Sequence, residues 1–245
     1  MIAQAQYPLY STHNDTSPAK HISLSTLLTM VMNPTTRAKD KAKCLTPFDA
    51  DGKTKAHALQ APYWALVFDH DDDDSDRKQI TKAYDAHGCA WLAFTTSNHQ
   101  QDKHGIVANR WKVVLPLAAP ISAERYAMIC NGMALVNKTD RAQARATQVF
   151  YAPNVLTTGA PYDHINRTDL PLLDASDDSD PIVKAALEAQ EQAQKAAEDN
   201  ARQSKPKPRQ AAPEQASIIE KTCAAYNLTS VIEAKGYTRI GRAGL

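Results

Sequence analysis

Two aspartates at the end of an apolar run are the residues of this chain with the clearest chemical potential. Tyr63-Trp-Ala-Leu-Val-Phe68 is six consecutive apolar residues with aromatic and β-branched members, which predicts a buried strand. Asp69, His70 and Asp71 follow at once. In extended backbone, residues two apart share a face, so both carboxylates point to one side of a sheet. Like charges so placed repel unless a cation sits between them. Mg²⁺ and Mn²⁺ favour such oxygen ligands and keep positions open for water and phosphate oxygens. The competing reading is a solvated acidic turn. Asp72, Asp73, Asp74 and Asp76 continue the run, facing elsewhere or capping the following helix, with Asp76 as its N-cap.

A second set of residues could face that pair. The apolar run Cys89–Thr96 leads into Ser97-Asn98-His99, and after a loop over 100–109 comes Arg110-Trp111-Lys112. Arg110 and Lys112 are also two apart and can share a face. A hydroxyl, an imidazole and two cations beside a metal-binding carboxylate pair suit a nucleoside triphosphate. Metal ions would hold the phosphates from one side, while Ser97, His99, Arg110 and Lys112 bind the remaining oxygens. Taken alone, His99 reads as an ordinary surface histidine, and Trp91 and Trp111 read as core rather than as base-stacking platforms.

For these groups to meet, three apolar runs must be neighbouring strands: Tyr63–Phe68, Cys89–Thr96, and Arg110–Leu117, the last closed by Pro116 and Pro120. Asp76–His87 predicts a helix between the first two, with Gly88 just past its end. Ser122 as N-cap and Glu124 in the first turn predict another, reaching Met133. Thr147–Ala152 reads as a further strand ended by Pro153. Upstream, the first twenty residues read as polar and loose, Leu24–Met32 as a short helix stopped by Asn33-Pro34, and Thr36–Ala61 as basic and turn-rich. Downstream, Asp163–Asp180 reads as an acidic loop. Ile182–Gln203, rich in Ala, Glu, Gln and Lys, reads as a helix that projects from the core or links two units. Lys205-Pro-Lys-Pro-Arg209 is a stiff basic linker, and a new segment begins near 214 with a short helix around 218–226.

Composition looks at first unfriendly to nucleic acid. Lys plus Arg is 28 against 27 acids, a formal charge of +1, whereas nucleic-acid binders usually carry a basic excess. Six of those acids, however, lie within Asp69–Asp76, and setting them aside leaves 28 bases against 21 acids, or +7. Residues 201–245 alone carry eight bases against three glutamates. No stretch approaches the roughly 18 apolar residues of a membrane span, and Ile22–Met32 follows twenty largely polar residues, unlike a signal peptide. Cys44, Cys89, Cys130 and Cys223 form no CxxC pair, which fits reduced thiols in a cytoplasmic protein better than a disulfide framework or a zinc module.

In their order and spacing these motifs resemble the catalytic domain of archaeo-eukaryotic-type primases, specifically the primase–polymerases of phages, plasmids and integrated elements. The family pattern is a hydrophobic strand ending in D-x-D, a second strand ending in S-x-H, and a later third carboxylate. The corresponding residues are Asp69-His-Asp71, Ser97-Asn-His99 followed by Arg110-Trp-Lys-Val-Val-Leu-Pro-Leu, and Asp140 in Lys138-Thr-Asp140. The likeness covers roughly residues 20–160. It implies an α+β fold: a mixed or antiparallel sheet flanked by helices, with an RRM-like catalytic core and a C-terminal helical extension. It divides the chain into a catalytic domain over 1–170, an acidic loop, helix and linker over 171–213, and the truncated start of a further segment over 214–245.

The activity implied is template-dependent nucleotidyl transfer, making or extending primers. Asp69, Asp71 and Asp140 would bind two Mg²⁺ or Mn²⁺ ions, and His99, Arg110 and Lys112 would neutralise the phosphates, with Ser97 donating a hydrogen bond. The partners implied are nucleoside triphosphates and single-stranded DNA template or primer-template, contacted by basic residues such as Arg37–Lys43 and the 201–245 segment. In the family this domain is usually joined to helical and helicase segments. Two other readings stand beside it. One is a non-catalytic remnant that binds single-stranded DNA or nucleotide. The other is a metal-dependent nuclease, although Asp51-Gly-Lys53 precedes the D-x-D strand and the eight histidines hold no His-x-His pair of the rolling-circle type.

Overall fold

The computed structural model describes residues 5–71, 75–103, 106–137, 139–145 and 147–203. Asp72–Asp74, the Lys205–Arg209 linker and the 214–245 segment with its expected helix lie outside them. The chain divides into two compact units, 1–195 and 196–245; of the second, only its helical residues to 203 are described.

Twelve strands occur among the described residues: β1 Tyr7–Tyr10, β2 Lys20–Ile22, β3 Thr35–Thr36, β4 Cys44–Leu45, β5 Tyr63–His70, β6 Trp91–Thr95, β7 Asp102–Lys103, β8 Ile106–Val107, β9 Trp111–Ile121, β10 Phe150–Tyr151, β11 Asn154–Val155 and β12 His164–Arg167. The helices are α1 Leu24–Met32, α2 Lys55–Gln60, α3 Arg77–Asp85, α4 Ala123–Asn137 and α5 Pro181–Gln203. The central sheet has the order β12-β6-β9-β5 with every neighbour antiparallel. A smaller antiparallel sheet runs β10-β4-β1-β2, and β3 pairs with β11 in parallel. The fold is α+β with antiparallel sheets and a long C-terminal helix, as expected.

Helix starts follow from short polar side chains in the sequence. Ser23 caps α1, its hydroxyl accepting from the Thr26 N–H at 3.3 Å. Asp76 and Gln79 form a reciprocal capping box on α3, so the last aspartate of the acidic run is a cap. The Ser122 hydroxyl accepts from the Arg125 N–H at 3.2 Å at the start of α4. That helix runs to Asn137, past the expected end at Met133, with Tyr126, Ile129, Cys130, Met133 and Ala134 on its buried side.

Four expectations need correction. Residues 5–20 are not loose: Tyr7, Leu9 and Tyr10 are core residues of β1. Four residues between polar neighbours carry too little periodicity to announce a strand. Strand β9 does not close at Pro116 but continues to Ile121. Its ladder with β6 ends at Val114, and Pro116, opposite Ala65, is the last residue before its register with β5 shifts, so the missing N–H falls beside an irregularity in the ladder. Within the expected acidic loop, His164–Arg167 pairs with β6 and covers that edge of the sheet. Its single core residue, Ile165, is too little for the sequence to advertise. The strand expected over Thr147–Ala152 contracts to Phe150–Tyr151.

Strand alternation sorts the central sheet into two cores. Leu66, Phe68, Trp91, Ala93, Val113 and Leu115 face α3, α4 and the start of α5. Ala65, Val67, Leu92, Phe94 and Val114 face β1, α1 and Phe150. At the first core, a Cβ on Gly132 of α4 would stand 1.9 Å from the Ala186 carbonyl oxygen of α5, so only glycine lets the two backbones approach. Gly132→Ala should therefore cost about 1–3 kcal/mol in urea unfolding; unchanged stability would refute this close approach.

His70 also belongs to the first core. It is 5% exposed, and its Nε2 hydrogen-bonds the Tyr84 hydroxyl at 2.9 Å. Burial lowers its pKa from 6.5 to about 4, against the opposing pull of Asp69. Below about pH 6.5 the unfolded chain therefore takes up a proton that the folded chain refuses, down to about pH 4. His87 and His99 are shifted in the same direction by burial. Stability should thus fall with acidification across this window, by up to about 1.4 kcal/mol per pH unit from His70 alone. Urea melts at several pH values should show a smaller slope in His70→Gln, and an equal slope would refute the assignment.

Candidate functional site

The alternation that builds the second core also builds a polar cavity beyond it. Val67 faces that core, and continuing in steps of two gives Asp69 and then Asp71. On β6 the same parity gives Leu92, Phe94 and Thr96, and on β9 it gives Val114, Lys112 and Arg110. The ladders align these steps, with Asp69 opposite Lys112 and Lys112 opposite Phe94. The result is a cavity of about 230 Å³ lined on one side by Asp69, Asp71, Phe94, Thr96, Ser97, Asn98, Arg110 and Lys112. The other side is Lys39, Gln148, Val149, Phe150, Tyr151, Ala152 and Asn154.

Charges pair across the floor. The Lys112 ammonium contacts the Asp69 carboxylate, and their side chains are only 6% and 15% exposed. The Arg110 Nε lies 4.0 Å from the Asp71 carboxylate, which stands at the mouth with 58% exposure. Arg110 is held from behind: one guanidinium N–H donates to the Asn98 carbonyl at 2.7 Å. Partial burial raises the Asp71 pKa, and so does the neighbouring charge of Asp69, while Lys112 and Arg110 oppose the shift and Asp140 adds to it.

Ser97 lines the cavity from a turn whose bonds include His99 N–H to the Thr96 carbonyl and Thr96 N–H to the Arg110 carbonyl, both 2.9 Å. Gln100 closes the turn in the left-handed region, at φ 52°. His99 stands elsewhere than expected. It is 7% exposed and not among the lining residues; its ring meets Trp111 edge-on at 5.9 Å, and its Nδ1 accepts from the Arg110 backbone N–H at 3.1 Å. Accepting at Nδ1 leaves the neutral ring's proton on Nε2. Burial favours that neutral form, with Asp163 opposing and Arg110 reinforcing. In this arrangement His99 positions Arg110.

Asp140 is adjacent through its backbone, its N–H donating to the Asp69 carbonyl at 3.1 Å. Its side chain is exposed and accepts from the Ala142 N–H at 2.8 Å, capping a short 3₁₀ turn over Arg141–Ala144. The structure thus gathers Asp69, Asp71, Ser97, Arg110 and Lys112, and leaves the His99 ring and the Asp140 carboxylate outside the lining. Among the described residues, no three His, Cys, Asp or Glu side chains are grouped to hold a metal. The donors present, two carboxylates on one face with open cavity before them, have the oxygen chemistry that suits Mg²⁺ or Mn²⁺. Cys44, Cys89 and Cys130 are buried free thiols, and none of them lines the cavity.

Sequence reasoning missed most of the second wall. Lys39 belongs to the basic stretch already noted, but Gln148, Tyr151 and Asn154 had no pattern to mark them. They arrive because β10 pairs with β4 and β11 with β3, contacts between residues more than a hundred positions apart. Asn154 is fixed there by its own bonds, donating to the Arg37 carbonyl at 2.8 Å and accepting from the Thr35 hydroxyl at 3.1 Å. Among the described residues, no helix is long and apolar enough to cross a membrane.

No protein-family model matches the chain, and no curated protein sequence does. Solved structures do. The archaeo-eukaryotic primase domain of the cyanophage S-2L primase–polymerase has a TM-score of 0.42 at 13% identity, over 72% of this chain and 87% of that one. Primase RepB′ has a TM-score of 0.41 at 13% identity, over 95% of this chain and 77% of that one. The catalytic domain of primase RepB′ in complex with initiator DNA has a TM-score of 0.40 at 12% identity, over 79% and 88%.

Proposed function

We propose that this chain is a template-dependent nucleotidyltransferase that makes or extends primers on single-stranded DNA. The observation that carries the reading is the convergence of two carboxylates, two cations and a hydroxyl, drawn from three adjacent strands, on one cavity. Asp69 and Asp71 would hold two Mg²⁺ or Mn²⁺ ions, with Asp140 joining them by turning its carboxylate off the Ala142 N–H. When bound, the ions supply Lewis acidity, making a primer 3′-hydroxyl more acidic and neutralising the leaving pyrophosphate. Arg110, anchored on Asn98 and on His99, presents a preorganised guanidinium to phosphate oxygens. Lys112 adds a second positive charge and Ser97 a hydroxyl donor. Arg37, Lys39 and Lys41 are exposed beside the second wall and would carry the template backbone, with the basic residues of 201–245 as a further contact. A helicase is the partner such an activity would serve.

A second reading, nucleotide or single-stranded DNA binding without transfer, is favoured by one observation: the Asp140 carboxylate is engaged on Ala142 and not with Asp69 and Asp71. Incorporation of labelled nucleotide on primed and unprimed single-stranded templates, with Mg²⁺ or Mn²⁺, separates the two. Asp69→Asn and Asp71→Ala should each lower incorporation by at least about a thousandfold, with nucleotide still bound and the folded signal kept. Binding without incorporation in the wild type would favour the second reading, and full activity in either variant would end the first.

A further inference from the structure

The two cations of the floor are held differently. Arg110 has its guanidinium on the Asn98 carbonyl and its backbone N–H on His99, and its Nε stays 4.0 Å from Asp71. Lys112 has a flexible four-carbon stem, and among the described residues the ion-pair partner of its ammonium is Asp69. The ladder sets these two residues directly opposite each other, at the base of the cavity where both are nearly out of water. There a charge interaction is far stronger than in bulk solvent. A divalent cation reaching an Asp69 oxygen therefore meets the ammonium already in contact with that carboxylate, and the two cations repel and compete for its charge.

A triphosphate changes this balance. It brings several anionic oxygens into the cavity that Lys112 lines, and they offer the ammonium a new counterion. We propose that Lys112 makes metal binding at Asp69 contingent on triphosphate: without triphosphate the ammonium stays on the carboxylate, and it yields to the metal when phosphate oxygens draw it away. This rests on the nucleotidyltransferase reading of the site. Coupling of this kind is reciprocal, so metal and triphosphate each strengthen the other's binding through one side chain. Arg110 does not share the role: its guanidinium is anchored on the Asn98 carbonyl, and it pairs with Asp71 only at 4.0 Å, more loosely than Lys112 does with Asp69.

The test is direct binding of Mn²⁺ to the full chain, alone and with an α,β-imido nucleoside triphosphate, measured by calorimetry. Lys112→Met and Lys112→Gln should bind Mn²⁺ alone about tenfold more tightly than the wild type, and should lose about tenfold of the gain that triphosphate gives. Lys112→Arg retains the charge and should not tighten Mn²⁺ binding. Melting with and without Mn²⁺ checks that each variant is folded, and either neutral variant suffices for the comparison. Equal or weaker Mn²⁺ binding in a folded neutral variant would overturn the proposal. Asp69→Asn distinguishes the deeper failure: if it binds Mn²⁺ as well as the wild type does, the metal reading of the site is wrong and not merely the part given to Lys112.

Discussion

Asp69 stands opposite Lys112 in the ladder between β5 and β9, and that pairing is what the rest of the site hangs on. A slip of one residue would turn Asp69 and Asp71 toward the α-helical side and leave His70 facing the cavity. The register is held by apolar residues on both faces, Val67 and Val114 toward one core, Phe68 and Val113 toward the other, so any slip would expose two cores at once. A sheet buried on both sides therefore specifies its register more strictly than one with a wet face. The charges at its end inherit that strictness without contributing to it.

This bears on why a nearly buried ion pair is tolerated there. Removing two charges from water costs several kcal/mol per ion, and well-packed apolar replacements are often as stable or more so. Asp69 and Lys112 lie one step past a hydrophobic ladder, where Ile and Leu would extend the core. The pair stands at the base of an open cavity, beside a second acid and a second base, which is where the proposed chemistry would use it. His70 and Tyr84 behave differently: their hydrogen bond lies on the far face, inside a core, and its consequence is pH-dependent stability.

What could be read from the sequence follows the same division. Asp69, Asp71, Arg110 and Lys112 were legible because each sits next to an apolar run long enough to declare a strand, and a period of two does the remaining work. Asp76 was legible because a capping box is local. The edge strand His164–Arg167 was not, since its pairing with β6 supplies the order that its composition lacks. The wall formed by Gln148, Tyr151 and Asn154 is set by partners at Thr35–Thr36 and Cys44–Leu45, which no local pattern reports. His99 shows a further limit: the S-x-H motif marked it for nucleotide phosphates, and no local pattern reports that its ring lies outside the cavity lining with Nδ1 accepting from the Arg110 N–H.

The support matters to what the cavity can do. A guanidinium fixed at its backbone and at one N–H loses little freedom when it meets a phosphate, so its contribution is available in full at the moment charge develops. A lysine on a flexible stem works the other way, following whichever anion is nearest. Setting the rigid cation beside the exposed Asp71 and the adaptable one beside the nearly buried Asp69 gives the two carboxylates unequal environments. Two metal positions in such a cavity would then be unequal as well. The one at Asp71 would be open to solvent and to ions arriving alone, while the one at Asp69 would be guarded by a counterion that a phosphate could remove.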